Sequence, residues 1–297
     1  MKYFYRLLMG AAPITMLCAA QPAAAVDVDP GDYVALPPGT NLALVYEQFI
    51  NRDELNTPGG TLKEDTNLNS AVTLLRYVHY MKIGPFTVDP QVIVPIGSLF
   101  DARAGGQRLG RSTGLGDITP FATIWLVNKP DPAHGTYLGV SPILTVPTGT
   151  YDHNKAINFG GNRFVYNAQV GLVKGLSRQF SVDLIGDLIW YGDNDKFGPA
   201  KQTLSQKMSS QFQAWGRYHL PDGKSSLALG YAGYWGGKQN VDGLYNGTRT
   251  EHQQVRVAAI TMLSKSFQIE GIAARDFQVR DGFREAVRLQ LRVAKIF

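Results

Sequence analysis

The sequence predicts an all-β protein, specifically a transmembrane antiparallel up-and-down β-barrel of about 12 strands. Three observations support this prediction. Apolar and polar side chains alternate along segments of about ten residues, the connections between segments alternate between long and short, and no apolar run after residue 25 is long enough for a membrane helix. Inside a bilayer every backbone N–H and C=O must be paired within the protein. Strands can therefore cross only as a closed barrel.

Residues 1–25 have the features of an export signal. Lys2 and Arg6 precede an apolar stretch, and Ala23, Ala24 and Ala25 supply the small side chains at which signal peptides are cleaved. We therefore expect cleavage after Ala25, which leaves residues 26–297 as one barrel domain. The alternative is a membrane anchor, but the apolar stretch is short for a spanning helix.

The only cysteine, Cys18, lies within this signal. The residue before it, Leu17, is not the small residue expected ahead of a lipid-modified cysteine. The mature protein should therefore contain neither a disulfide nor a thiolate metal site.

Composition excludes one class of partner. Charged residues make up 18% of the chain, below the ~25% of ordinary soluble proteins. The net charge of +5 includes no run of basic residues. We therefore expect no nucleic-acid partner. The low charge, abundant glycine and abundant aromatic residues fit an outer-membrane barrel in lipid.

Each alternating segment predicts one strand with an apolar face toward lipid and a polar face toward the lumen. The segments are 40–49, 70–80, 85–96, 116–127, 136–146, 163–173, 179–191, 207–219, 226–235, 251–263, 266–277 and 287–297. Arg76, Arg275 and Lys295 fall on apolar faces, and the last two are near strand ends, where they can reach the interface. Arg76 is not, and a lipid-facing arginine at the midplane costs about 2–4 kcal/mol. We therefore expect a bulge or a shifted register in the second strand.

The connections predict the orientation of the barrel. Short connections lie at 82–85, 128–135, 174–177, 220–224 and 264–266. Longer ones lie at 51–66, 97–113, 148–162, 192–204 and 237–249, and a shorter loop takes the last outer place near 278–282. Outer-membrane barrels have short periplasmic turns and long outer loops. Both termini should therefore be periplasmic. An exported soluble β-sandwich also has alternating strands, but its strands tend to be shorter.

The chain ends on an amphipathic strand with a terminal phenylalanine, Phe297. Such a strand resembles the assembly signal that outer-membrane barrels present to the barrel assembly machinery. We therefore expect this machinery to be a partner, with Phe297 at the periplasmic rim.

Charged residues on the polar faces are the candidates for lining the pore. These are Asp117, Asp183, Asp187, Arg217, Arg256, Glu270, Arg288 and Arg292, and the same alternation also places Glu47, Asp89 and Asp276 in the lumen. The arginines on strands ten and twelve flank the acids of strand eleven, which predicts an ion-pair network. A barrel of this size is intermediate between filled eight-stranded and open sixteen-stranded barrels. A narrow or plugged lumen is therefore expected.

One outer loop is a candidate constriction. The connection at 148–162 contains Tyr151, Asp152, His153 and Lys155, which could fold into the lumen and narrow it. The alternative is a solvated surface loop.

An enzymatic function is not expected. Hydrolysis in an outer-membrane barrel would need a serine activated by a histidine and a third orienting group. None of the five histidines is beside a serine in such a pattern, and no metal spacing or nucleotide motif is present. The sequence thus predicts no catalytic residues, no metal and no cofactor.

Two stretches are more specific than a general barrel pattern. They are GLGDITPFATIWL (114–126), and VSPILTVPTGTYD (140–152) followed by NFGGNRFVYNAQVG (158–171). With them the chain resembles the outer-membrane transporter family named for the meta-pathway of phenol degradation. The resemblance implies a barrel in the bacterial outer membrane that takes up hydrophobic or aromatic compounds.

The functional prediction is therefore an outer-membrane channel for passive uptake of a small hydrophobic or aromatic substrate. Two alternatives remain at this point. One is a general diffusion pore for small polar solutes, and the other is a structural or adhesive barrel that transports nothing.

Overall fold

The computed structural model describes residues 26–297. The predicted signal, residues 1–25, and its cleavage site lie outside the described residues. The strands are β1 (Asn41–Thr57), β2 (Gly60–Leu62), β3 (Asn67–His79), β4 (Met81–Ile83), β5 (Phe86–Ala104), β6 (Gln107–Leu115), β7 (Thr119–Lys129), β8 (Thr136–Thr145), β9 (Val165–Gly175), β10 (Phe180–Tyr191), β11 (Asn194–Phe197), β12 (Gln202–Gln206), β13 (Ser209–His219), β14 (Ser225–Trp235), β15 (Gln239–Val241), β16 (Leu244–Tyr245), β17 (Glu251–Ser264), β18 (Phe267–Arg280) and β19 (Gly282–Ile296). No helix within 26–297 is long and apolar enough to cross a membrane.

Twelve strands form a closed antiparallel barrel. In order around the barrel they are β1, β3, β5, β7, β8, β9, β10, β13, β14, β17, β18 and β19, and β19 pairs with β1 to close it. Each of the twelve segments expected from the sequence falls on one of these strands, so the predicted fold class is confirmed. Closure leaves no unpaired sheet edge, as lipid requires.

Two of the connections expected to be long loops are mostly strand. β1 continues to Thr57 and turns directly into β2, and β5 continues to Ala104 and turns through Gly105 and Gly106 into β6. Both glycines have positive φ, 54° and 82°, which suits a tight turn. These hairpins extend the barrel wall at its outer end. Further round, β11, β12, β15 and β16 form a separate small sheet.

The alternation assigns the faces of most strands correctly. In β10, for example, Asp183 and Asp187 are buried inside the barrel, while Leu184 and Leu188 are exposed on its outer surface. Lys295 lies over the Phe267 ring with its Nζ 4.3 Å from the ring centroid, as expected near the interface.

β1 and β3 are exceptions, and the prediction for them was wrong. Leu44 and Tyr46 of β1 face inward, so Glu47 faces outward, where its carboxylate accepts hydrogen bonds from Thr73 at 2.9 and 3.0 Å. Arg76 of β3 also faces inward. No bulge is needed, because β1 and β3 pair without a break from Asn41↔His79 to Arg52↔Leu68.

Candidate functional site: a chain segment docked in the lumen

The lumen contains a segment of the chain itself, residues Val26–Leu36, which we call the inner segment. It precedes β1 and is held by inward-facing side chains of β7, β10 and β13. Trp215 Nε1 donates to Val28 O at 3.0 Å, and Trp125 Nε1 donates to Tyr33 O at 3.0 Å. Asp183 Oδ2 accepts from Gly31 N at 2.7 Å. These bonds satisfy backbone groups that would otherwise be buried without partners.

Three carboxylates of the inner segment bind arginines of the barrel wall. Asp27 contacts Arg256 Nη2 at 2.8 Å and Arg288 Nη1 at 2.7 Å. Asp29 contacts Arg292 Nη1 at 3.0 Å. Charge-assisted hydrogen bonds of this length are about twice as strong as neutral ones. The inner segment is therefore anchored electrostatically to β17 and β19.

Asp32 links β3 and β19, the two strands that pair with β1. Its carboxylate accepts from Arg76 Nη1 at 2.7 Å and from Arg292 Nη1 at 2.9 Å. Arg76 also donates to Gln91 Oε1 at 2.8 Å and to the Tyr46 hydroxyl at 3.1 Å. The arginine that the sequence placed unfavourably toward lipid is thus a ligand of the inner segment.

The charge state of Asp27 follows from these contacts. Burial by itself would raise the pKa of Asp27, but the guanidinium groups of Arg256 and Arg288 outweigh it and lower the pKa to about 2. Asp27 is therefore ionised at neutral pH and remains so well into the acidic range.

The wall arginines are also paired with wall carboxylates. Arg288 Nε lies 2.8 Å from Glu285 Oε2, and Glu285 Oε1 lies 3.1 Å from Arg52 Nη2. Arg292 Nη2 lies 2.9 Å from Glu270 Oε2. Of the ion pairs expected between arginines of β17 or β19 and acids of β18, the structure shows Arg292–Glu270, whereas Asp276 of β18 accepts a hydrogen bond from Gln254 instead. The carboxylate that binds Arg256, however, comes from the inner segment and not from strand eleven.

Tyr33 of the inner segment sits on a floor made by two glycines. Gly139 of β8 and Gly171 of β9 are direct cross-strand partners, and a Cβ on Gly171 would overlap the Tyr33 ring. The Tyr33 hydroxyl lies 2.8 Å from Ser141 Oγ and donates to Gln169 Oε1 at 2.9 Å. The Tyr33 ring can therefore occupy this position only because the two glycines have no side chains.

The inner segment fills one side of the lumen at its own level. Trp215 and Trp125 are each 2% exposed. Gln213, which faces inward and accepts a hydrogen bond from Arg256, is 0% exposed. Side chains that line a water-filled pore would be solvent-accessible. With the inner segment docked, the part of the lumen beside Trp125, Trp215 and Gln213 is therefore closed to water, whereas the Asp27 side chain remains 31% exposed.

Apolar clusters lie on both sides of the ion pairs that Asp27, Asp29 and Asp32 form with the wall arginines. Toward the short turns, inward side chains of β1, β3, β7 and β19 pack with Ala35 and Leu36 of the inner segment. Toward the outer end, a second cluster joins the walls to the loop between β8 and β9. Its members are Leu55, Leu68, Leu99, Ala102, Ala104, Leu109, Ile157, Phe159 and Phe283.

The loop between β8 and β9 folds into the outer mouth through Ile157 and Phe159, both buried. The residues singled out from the sequence are at its periphery: Tyr151, Asp152 and His153 are half-buried and Lys155 is exposed. Their part in a constriction stays a prediction. The sequence analysis overlooked the two apolar residues because it searched the loop for polar groups.

Asp117 differs from the other residues expected to line the pore. It lies at the base of this loop, where its carboxylate accepts from Gly149 N at 2.8 Å and Gly161 N at 2.6 Å. Asp183, Asp187, Arg217 and the other members of the predicted set face the lumen beside the inner segment and are largely buried.

Phe297 lies at the end of the barrel where the short turns are. Its backbone pairs with Asn41, with N–O distances of 2.8 and 3.0 Å, and its ring is exposed.

Comparison with known proteins identifies the family. Residues 51–293 match the family described by the MetA-pathway of phenol degradation. The chain belongs to this family. The structure is also similar to the crystal structure of an outer membrane channel from Pseudomonas putida F1, with 35% sequence identity, a TM-score of 0.86, and coverage of 91% of this chain and 100% of that one. No curated protein matches the chain.

A more distant likeness concerns the fold alone. The transport unit of the autotransporter AIDA-I from Escherichia coli superposes with a TM-score of 0.52 at 8% identity, covering 93% of this chain and 94% of that one. Together the family and the closed barrel make the protein an outer-membrane channel of a bacterium, in a lipid environment. Outer membrane channels are not enzymes.

Proposed function

We propose that the protein is a gated outer-membrane channel for passive uptake of small hydrophobic or aromatic compounds, with the inner segment as its gate. The observation that carries the proposal is the position of the inner segment inside the lumen. The barrel wall alone would enclose a passage, and the inner segment occupies it through contacts with Trp125, Trp215 and a belt of arginines.

The nature of the gate supports displacement over permanent closure. After removal of the signal the inner segment is joined to the barrel covalently at one end only, before β1. Its polar contacts with the wall are ion pairs and hydrogen bonds, and Val28 and Tyr33 add apolar packing. Water and ions can replace such contacts one by one. Undocking would leave the lumen lined by charged and polar groups, with apolar clusters above and below.

The proposed substrate class rests on those clusters and on the family. The outer end of the lumen contains a buried apolar cluster with Ile157, Phe159 and Phe283. The periplasmic end contains Tyr80 stacked on Trp125, with ring centroids 5.5 Å apart. Opening of the gate would expose these surfaces to a passing solute. Apolar and aromatic surfaces retain aromatic solutes better than sugars. The family is named for phenol degradation, which is consistent with this class. A general diffusion pore, in contrast, needs an open aqueous lumen.

The solute preference can be tested by liposome swelling and fluorescence. The folded mature chain should give slow swelling with arabinose or glycine, and phenol or benzoate should change the fluorescence of Trp125 and Trp215. Rapid swelling with sugars would support the general diffusion pore. No swelling and no fluorescence response to any aromatic solute would support a structural or adhesive barrel.

We also propose that Phe297 is part of the signal to the barrel assembly machinery. Its exposed ring at the periplasmic end is available for recognition. Phe297→Ala should slow the appearance of folded barrel in cells. Unchanged assembly kinetics would contradict this role.

A further inference from the structure

Asp187 is a buried carboxylate beside the tip of the inner segment. It faces the lumen from β10, and its Oδ1 accepts from Asn167 Nδ2 at 2.9 Å and from Gln169 Nε2 at 2.7 Å. Its Oδ2 is buried and accepts no well-formed hydrogen bond among residues 26–297, although the Gln213 side chain also interacts favourably with the carboxylate. An unmatched buried carboxylate oxygen is costly, so such a group either takes up a proton or is paired with a counter-charge.

Most buried carboxylates in the barrel have a cationic partner. Asp183 pairs with Arg217 at 2.9 Å, and Glu270 and Glu285 pair with arginines in the same way. Within the described part of the chain, Asp187 and Asp89 are the two buried acids with no lysine, arginine or histidine at ion-pair distance. Asp89 is satisfied differently, since its Oδ1 accepts from the backbone N of Thr123 at 2.7 Å.

The chain places Val26 next to Asp187. Gln169 Nε2, which donates to Asp187 Oδ1, also donates to Val26 O at 3.2 Å. Gln213 Nε2 approaches the same carbonyl at 3.4 Å. The shared donor brings Val26 O within about 6 Å of the carboxylate, and the α-nitrogen of one residue is only about 3 Å from its own carbonyl oxygen. The Val26 nitrogen therefore lies no more than about 9 Å from Asp187 Oδ1. Once it is no longer joined to Ala25, this first residue is free to rotate toward the carboxylate.

We propose that removal of the signal after Ala25 creates the missing counter-charge, and that the new α-ammonium group of Val26 binds Asp187 as a latch for the docked inner segment. Signal peptidase hydrolyses the Ala25–Val26 peptide bond, and water supplies the hydroxyl of the new Ala25 carboxyl group and a proton for the new amine. An α-amine has an ordinary pKa of about 8, so it is mostly protonated at neutral pH.

This latch would couple export to closure of the channel. In the uncleaved chain Val26 contributes an uncharged amide nitrogen, which can donate one hydrogen bond but brings no charge to Asp187. After cleavage the same atom carries a positive charge and three donors. The tip of the inner segment would then be held by Asp187 in addition to the arginines that hold Asp27, and this holds whatever solute the channel carries.

The test is made on the folded, exported protein. Mass spectrometry should show Val26 as its first residue. Competitive labelling with acetic anhydride across a pH series then gives the pKa of the Val26 amine. Asp187→Asn should lower that pKa by about one unit or more, because it removes a nearby negative charge. Asp89→Asn is the matched control and should leave it unchanged.

A second variant keeps Asp187 intact. Insertion of Gly-Ser between Ala25 and Val26 moves the ammonium group away and should give the new N-terminus an ordinary amine pKa, with folding checked by heat-modifiable gel mobility. A first residue other than Val26, or an amine pKa that Asp187→Asn and the insertion do not change, would overturn the latch. Neither readout depends on permeation, so the latch and the proposed substrate class can fail independently.

Discussion

Neutralising Asp27 should open the channel, since this carboxylate joins the inner segment to two arginines of the wall. In Asp27→Asn the side chain keeps its size, and the contacts with Arg256 and Arg288 at 2.8 and 2.7 Å lose their ionic component. The arginines retain Gln213 and Glu285 as partners. The barrel itself should therefore remain folded while the inner segment is held less tightly.

The magnitude follows from the pKa of Asp27. A shift from 3.8 to about 2 corresponds to about 2 kcal/mol of preference for the ionised form in the docked state. The Asp27 side chain is 31% exposed, so solvent screening reduces this energy, and we expect about 1 kcal/mol. An energy of 1 kcal/mol changes a two-state equilibrium about fivefold.

The assay is single-channel recording in planar bilayers at neutral pH. The ratio of open to closed time should rise about fivefold in Asp27→Asn. Asp53→Asn is the matched control, because Asp53 binds Arg284 at 2.8 Å at the outer end and does not touch the inner segment. An unchanged ratio in Asp27→Asn, or an equal rise in the control, would refute the reasoning.

Three further predictions concern the same gate. The lowered pKa of Asp27 stabilises the docked state at pH values above the undocked pKa near 3.8. This stabilisation should be lost as the pH falls toward about 2, so channel opening should increase over that window. Gly171→Ala should displace the Tyr33 ring and raise permeation. Gly186→Ala is the control, because open space surrounds that position, and it should leave permeation unchanged. Equal permeation in both variants would contradict the role assigned to Gly171. Phe159→Ala should remove about 3–5 kcal/mol of packing between the β8–β9 loop and the outer mouth of the barrel. The loop should then be cleaved faster by proteases. Unchanged proteolysis would show that other contacts hold the loop.

The twelve strands could be predicted because each has to solve the same physical problem. A segment that crosses lipid needs outward apolar side chains at every second position, and β10 and β13 meet this requirement with polar groups between them. The ends of strands were less predictable. β1 and β5 extend beyond the membrane, where this requirement no longer applies.

The failure at β1 and β3 has a specific cause. Their inward faces are also apolar, with Leu44 of β1 and Val78 of β3 packed in the cluster that includes Leu36 of the inner segment. Alternation could not tell which of two apolar faces meets lipid. Arg76 was informative all the same, because an arginine on such a face needs a carboxylate, and Asp32 supplies it.

The inner segment itself was missed because it is neither strand nor helix and has no periodicity. One signal was nevertheless present in the sequence. Asp27, Asp29 and Asp32 follow directly after the predicted cleavage site, and the lumen faces carry several arginines. Matching these two sets of charges would have indicated a docked segment, although not its glycine floor.

The most direct test of the gate compares the mature chain with a variant that lacks residues 26–36, both refolded in liposomes and both shown to be folded by heat-modifiable gel mobility. The measurement is the rate of swelling in arabinose. If the inner segment closes the lumen, the complete chain should swell slowly and the shortened chain rapidly. Equal swelling rates for the two chains would contradict this account.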